Sequence, residues 1–139
     1  MSSTHAPAAA GTSGLDRFFK ITERGSTVGQ EIRGGFVTFF TMAYIVVLNP
    51  LIIGTVADSS GTFLGGGAAP KLAMVAAATA LIAGLMTILM GVVANYPLAL
   101  ATGLGLNAFV AFGIAKLPQM TWADAMGLVV LEGIIILIL

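Results

Sequence analysis

The stretch Asn95-Tyr96-Pro97-Leu98-Ala99-Leu100-Ala101-Thr102-Gly103-Leu104-Gly105-Leu106-Asn107-Ala108-Phe109 decides how this chain is read. It is apolar enough for a bilayer, yet Pro97 removes a backbone donor, and Gly103 and Gly105 weaken any helix passing through them. Backbone that leaves the helix at membrane depth must be buried in protein or line a cavity, because lipid offers it no hydrogen bonds. Residues 95–103 are therefore expected to run extended into the membrane, and a short helix to run from Gly105 to Ala115. Eight extended residues rise at most ~26 Å, and the short helix adds about 16 Å at its usual rise. The two halves together make one crossing. Interrupted segments of this kind build the binding sites of transporters.

Around this stretch the composition is that of an integral membrane protein. Of 139 residues, 58% are hydrophobic and 9% charged, against about 25% charged in an ordinary soluble domain. The apolar residues fall in long runs. Formal net charge is zero, so nucleic acid is not an expected partner. No cysteine is present, which excludes disulfides and thiolate metal sites. The one histidine, His5, lies in a small polar tail over residues 1–14 that is expected to be disordered and to hold no metal.

The spans follow in order. Leu15, Phe18, Phe19 and Ile21 alternate with Asp16, Arg17, Lys20, Glu23 and Arg24, so residues 15–33 carry a short amphipathic helix. That helix either lies on the membrane face or packs, solvated, on the rest of the protein. Gly25-Ser26-Thr27 breaks it. Span one covers about 34–54, is free of charge, and is expected to kink or end at Asn49-Pro50. Span two covers about 72–94 with a small-residue stripe, Ala77, Ala80, Gly84, Thr87 and Gly91, suited to close helix packing. The interrupted segment fills 95–115. A fourth span runs from Trp122 to Leu139, opened by a capping box of Thr121 and Asp124, and the apolar run to the last residue reads as the front piece of a longer protein. Arg17, Lys20, Arg24 and Arg33 precede span one, whereas the loop after it holds only Lys71. The positive-inside rule then puts the N-terminus in the cytoplasm of a multi-pass protein of the plasma membrane.

Three features carry possible chemistry. The start of the short helix, from Gly105 to Asn107, offers unpaired N–H groups and the positive end of a dipole, and Gly103 and Gly105 allow close approach. Asn107 adds an amide that donates and accepts side by side, the complement of a nucleobase edge; equally, it caps or bridges neighbouring helices. Glu132, about ten residues into span four, either exchanges a coupling proton or pairs with a polar group elsewhere in the membrane. Phe109 and Phe112 at i, i+3 either stack on a planar ligand or belong to the core. Gly-Leu-Gly-Leu-Asn lacks the Lys-Ser/Thr ending of a phosphate loop. No nucleophile–base pair or metal cluster is legible, so neither enzymatic activity nor a cofactor is expected.

Leu15-Asp16-Arg17-Phe18-Phe19-Lys20, Glu31-Ile32-Arg33-Gly34-Gly35, Thr38-Phe39-Phe40-Thr41-Met42-Ala43-Tyr44-Ile45, Asn49-Pro50 and Gly103-Leu104-Gly105-Leu106-Asn107-Ala108-Phe109 occur in this order. This series resembles the AzgA-like adenine/guanine/hypoxanthine permeases of the xanthine/uracil permease superfamily, over residues 15–139. The resemblance implies an all-α integral membrane fold of fourteen segments in two inverted repeats of seven, of which this chain would hold the first three and part of the fourth. The third would be half extended strand and half short helix. It further implies purine uptake by proton symport with an elevator-like motion, with Asn107 and the backbone of Leu104, Gly105 and Leu106 at the substrate. Thr102-Gly103 stands here where the family commonly has Pro-Gly. The expected partners are a purine nucleobase, the bilayer, the remaining segments of a longer permease, and a second copy in a homodimer. The coupling ion would be a proton or another cation. The alternatives are a carrier of anions, uracil or xanthine on the same fold, or a small membrane subunit without transport.

Overall fold

Thr27 opens the first long helix of the chain, as a computed structural model shows. Its N–H and hydroxyl donate to the Gln30 side chain at 3.0 and 3.2 Å, and its hydroxyl oxygen accepts from the Gln30 N–H at 3.3 Å. That reciprocal pair satisfies N–H groups a helix start leaves over. The structure describes residues 14–139; the tail over residues 1–13, with His5, lies outside the described residues. Helices are α1 (Gly14–Phe19), α2 (Val28–Met42), α3 (Tyr44–Ile53), α4 (Leu72–Val92), α5 (Leu104–Ile114) and α6 (Trp122–Ile138). No β-strand forms among the described residues, only an isolated bridge between Ala57 and Phe63.

The chain divides into two compact units, one ending at Phe40 and the other running from Thr41 to Leu139. In the first, the amphipathic helix is shorter than the alternation over residues 15–24 predicts. Lys20 takes a left-handed φ of 54°, and the Asp16 carboxylate accepts from the Thr22 N–H at 2.8 Å and from its hydroxyl at 2.9 Å, folding the chain back after one and a half turns. Phe18 and Phe19 pack edge to face at 4.9 Å. Gly25, at φ 73°, makes the break expected there.

In the second unit, α3, α4 and α5 pack around a small core of Ile53, Val56, Val75, Val110, Ala111, Ala115, Trp122 and Ala125. Of the kink or end expected at Asn49-Pro50, the end does not occur there. Helix α3 runs on through Pro50 to Ile53, and the regular pattern is interrupted at Ala43, where Val46 N–H reaches the Ala43 carbonyl at 3.1 Å. A proline ring crowds the carbonyl four residues back, here Val46, so the distortion is taken up in the turn before it. Val28–Ile53 and Leu72–Val92 are each long and apolar enough to cross a membrane. Most large side chains of α4 and α6 are exposed, Leu81, Leu85, Ile134 and Ile136 among them. Such faces suit lipid or further protein rather than water.

Helix α4 ends at Val92, two residues before the expected boundary. Beyond its C-cap Val93, Asn95 adopts φ 52°, and Tyr96 N–H reaches back to the Met90 carbonyl at 3.3 Å. Residues 96–103 then form neither helix nor strand, and α5 starts at Leu104 after Gly103 in extended backbone (φ −78°, ψ 111°). The second half of α5, Val110–Ile114, is π-helical, with Ala115 N–H on the Val110 carbonyl at 2.8 Å. The sequence predicts an ordinary helix here. Gly113 admits the widened turn: the Phe109 ring lies where a Cβ on Gly113 would meet it at 3.3 Å.

The loop between α3 and α4 is latched to the start of α6. Asp58 Oδ1 accepts from the Ser60 N–H, the Ser60 hydroxyl and the Thr62 N–H, while Oδ2 accepts from Trp122 N–H at 3.0 Å. Trp122 Nε1–H donates to the Val56 carbonyl at 2.9 Å, and Ser59 hydroxyl to Met120 at 2.6 Å. The Thr121–Asp124 capping box forms as expected. The Ser60 hydroxyl first, and then the N–H groups of Thr62, Trp122 and Ser60, hold the Asp58 carboxyl down from 3.8 to about 2 against the opposing effect of burial.

Candidate functional site

Asn49 is where the polar side chains of the second unit meet. It lies mid-helix in α3, with 4% of its surface exposed. A buried amide is costly unless it is hydrogen-bonded, and both ends of this one are. Its Nδ2–H donates to Thr79 Oγ1 on α4 at 2.9 Å, and Thr79 hydroxyl donates to the Val75 carbonyl at 2.8 Å. Its Oδ1 accepts from Asn107 Nδ2 on α5, and Asn107 donates its other hydrogen to Thr102 Oγ1 at 2.6 Å. One relay thus ties three helices and the non-helical segment together.

Beside this relay lies a cavity of about 540 Å³ between α3, α4 and the segment before α5. Asn49, Thr79 and Thr102 are its polar lining; Ile53, Val75, Met86 and Leu100 are among its apolar lining. Small-molecule sites commonly have volumes of about 300–1,000 Å³, apolar walls and a few fixed polar groups. This cavity matches on all three counts. Its wall at Leu100 is held by Thr87, whose hydroxyl accepts from Leu100 N–H at 3.0 Å and donates to the Leu100 carbonyl at 3.2 Å. A non-helical residue in an apolar setting thereby keeps both backbone groups satisfied.

The residues singled out in the sequence sort unevenly around the cavity. Asn107 stands one hydrogen bond behind the lining, bound to Asn49 and Thr102. Leu104, Gly105 and Leu106 form the first turn of α5 and are not among the lining residues. A Cβ at Gly103 or Gly105 would meet nothing within 4 Å, so these glycines are not required by packing within the described residues. Phe109 and Phe112 stay outside the cavity, at 63% and 56% exposure, and Lys116 lies over the Phe112 ring at 5.6 Å. Glu132 is exposed on α6, away from the cavity lining. Of the small-residue stripe on α4, Gly84 and Gly91 face open space and Thr87 is the clip on Leu100. Asn49, expected only to shape span one with Pro50, and Thr79 are lining residues not among those singled out as site residues from the sequence. The signal was there for Asn49, a carboxamide inside an uncharged span. Thr79 differs little in sequence from any threonine bonded to its own helix.

The fold and the site define a helical protein with membrane-length helices and a polar relay beside a cavity at an interrupted segment. Comparison with known proteins gives the class a family. The chain is 39% identical over 140 residues to the adenine permease AdeP of Escherichia coli K12, covering 100% of this chain and 28% of that protein. It is 38% identical over 129 residues to the guanine/hypoxanthine permease GhxP of Escherichia coli O157:H7, covering 93% of this chain and 26% of that protein. To the guanine/hypoxanthine permease PbuG of Bacillus subtilis it is 38% identical over 121 residues, 87% of this chain and 27% of that protein. No family profile and no solved structure matches the chain. The chain belongs to the AzgA-like nucleobase permease family. It spans about a quarter of the length of the curated relatives it matches.

Proposed function

We propose that this chain supplies part of a membrane permease that takes up purine nucleobases, and that the cavity between α3, α4 and the segment before α5 is its share of the substrate site. The observation that carries this reading is the Thr79–Asn49–Asn107–Thr102 relay: it fixes a few polar groups at an otherwise apolar cavity, as recognition of a flat polar base demands. The names of the relatives, permeases for adenine and for guanine and hypoxanthine, give the substrate class. Transport rather than catalysis is the activity they share. In this reading Asn107 backs the wall of the site through Asn49 and Thr102, and the first turn of α5, Leu104 to Leu106, adjoins that wall past Thr102. The extended approach through 96–103 and the short helix together serve as one crossing, and the N-terminus faces the cytoplasm. Uptake is coupled to a proton by an elevator-like movement of this unit.

The test is uptake of labelled adenine, guanine and hypoxanthine by purine-uptake-deficient bacteria expressing the full gene product. Uncharged purines should compete, and sulfate or bicarbonate should not. Asn107→Ala should lower purine uptake at least about tenfold while the protein still reaches the membrane, since it strips the amide shared by two partners. Unchanged uptake kinetics in this variant would remove Asn107 from the site. Glu132 is the proposed coupling group, so Glu132→Gln should flatten the pH dependence of uptake; a pH profile like that of the unaltered protein would exclude it.

A further inference from the structure

The relay has a direction, and the direction reaches the cavity wall. Val75 carbonyl can only accept, so the Thr79 hydroxyl hydrogen points to it and the Thr79 oxygen is left to accept. Asn49 must then turn its amide nitrogen to Thr79 and its oxygen to α5. That oxygen draws the Asn107 amide nitrogen, which donates one hydrogen to Asn49 and the other to Thr102 Oγ1. Thr102 therefore accepts from behind, and its own hydroxyl hydrogen is left to donate forward. Asn49 likewise retains its second Nδ2 hydrogen. Both residues line the cavity.

Resting on the nucleobase reading above, we infer that this relay makes the wall a donor surface. Thr102 and Asn49 read acceptor atoms of the bound ring, a ring nitrogen or an exocyclic carbonyl oxygen, and Thr79 is a positioning residue that sets the sign of the wall through Asn49. A backbone carbonyl of α4 thus fixes the sign at Thr102, the fourth side chain along. A ligand that offers a C–H group at that point leaves a half-buried donor unpaired, and is rejected.

The experiment compares adenine with 3-deazaadenine and 7-deazaadenine, in which one ring-nitrogen acceptor becomes C–H, as inhibitors of labelled adenine uptake by the full gene product. At least one of the two should inhibit about tenfold or more less well than adenine, because an unpaired buried donor is costly. Thr102→Val, which keeps the shape and loses the hydroxyl, should bring that ratio to within about threefold, and Thr102→Ser should restore it. Thr79→Val should raise KM for adenine several-fold at unchanged maximal rate and relax the same ratio, with Thr79→Ser again restoring it. If Thr102→Val fails to reach the membrane, Thr79→Val carries the same expectation from the far end of the relay. Equal inhibition by adenine and both analogues in the unaltered protein, or ratios unmoved by the valine variants, overturns the inference and leaves purine uptake standing. No nucleobase uptake by the unaltered protein overturns the functional reading itself, and this inference with it.

Discussion

At the scale of single residues, two buried polar groups carry most of the specificity of this structure. Asn49 holds α3 to α4 and α5 at once, so its removal leaves one donor hydrogen of Asn107 and one acceptor on Thr79 without partners; each such group costs about 1–3 kcal/mol when buried. Asp58 does the corresponding work in the loop, where one carboxylate gathers Ser60, Thr62 and Trp122. Its folded pKa, about 2, lies below the ordinary 3.8, so protonation favours the opened loop. The latch therefore contributes fully above about pH 4 and is lost as pH falls towards 2. Trp122, the single tryptophan of this chain, is 5% exposed and reports on it directly. Its emission should hold steady from pH 8 to about pH 4 and shift to the red below that. A red shift already complete at about pH 5 would assign the transition to some other group.

At the scale of elements, the interrupted segment depends on its neighbours more than on its own propensity. Pro97 and the glycines prevent a helix, but they do not say where the freed backbone groups go. Thr87 supplies part of the answer by bonding both groups of Leu100. Thr87→Val should therefore loosen the wall of the cavity without disturbing α4, whose own ladder is intact. Amide exchange at Leu100 should rise by at least about fivefold, as the protecting bond is worth on the order of 1 kcal/mol or more in an apolar setting. Exchange at Leu100 equal to that of the unaltered protein would show that the segment is held by something else. The π-helical turn of α5 belongs to the same scale. Gly113 and Phe109 share one space there, which no periodicity argument reveals.

At the scale of the whole molecule, bare apolar faces on α4 and α6 are intelligible only with a partner phase around them. The proposed topology places the loop between α3 and α4 outside and α1 inside. The chain has no cysteine, so single cysteines are clean reporters. In full gene product freed of any other cysteine, Ala68→Cys should react with a membrane-impermeant maleimide on intact cells, and Glu23→Cys only after the cells are opened. The reverse pattern would invert the topology.

Much of this was legible in the sequence. The apolar runs, the charge asymmetry, the Gly25 break, the Thr121–Asp124 cap and the departure from helix before Leu104 all rest on local chemistry, which needs only neighbours along the chain. Asn107 was visible as a polar group worth attention, though whether it met a ligand or a neighbouring helix was open. Tertiary structure alone decided that Asn107 turns both amide hydrogens to Asn49 and Thr102, that Thr79 orients Asn49, and that the regular helical pattern is interrupted at Ala43 rather than at Pro50. The reason is physical: a hydrogen bond between residues 58 positions apart depends on how helices pack, and packing is set by shape across elements rather than by pattern within one.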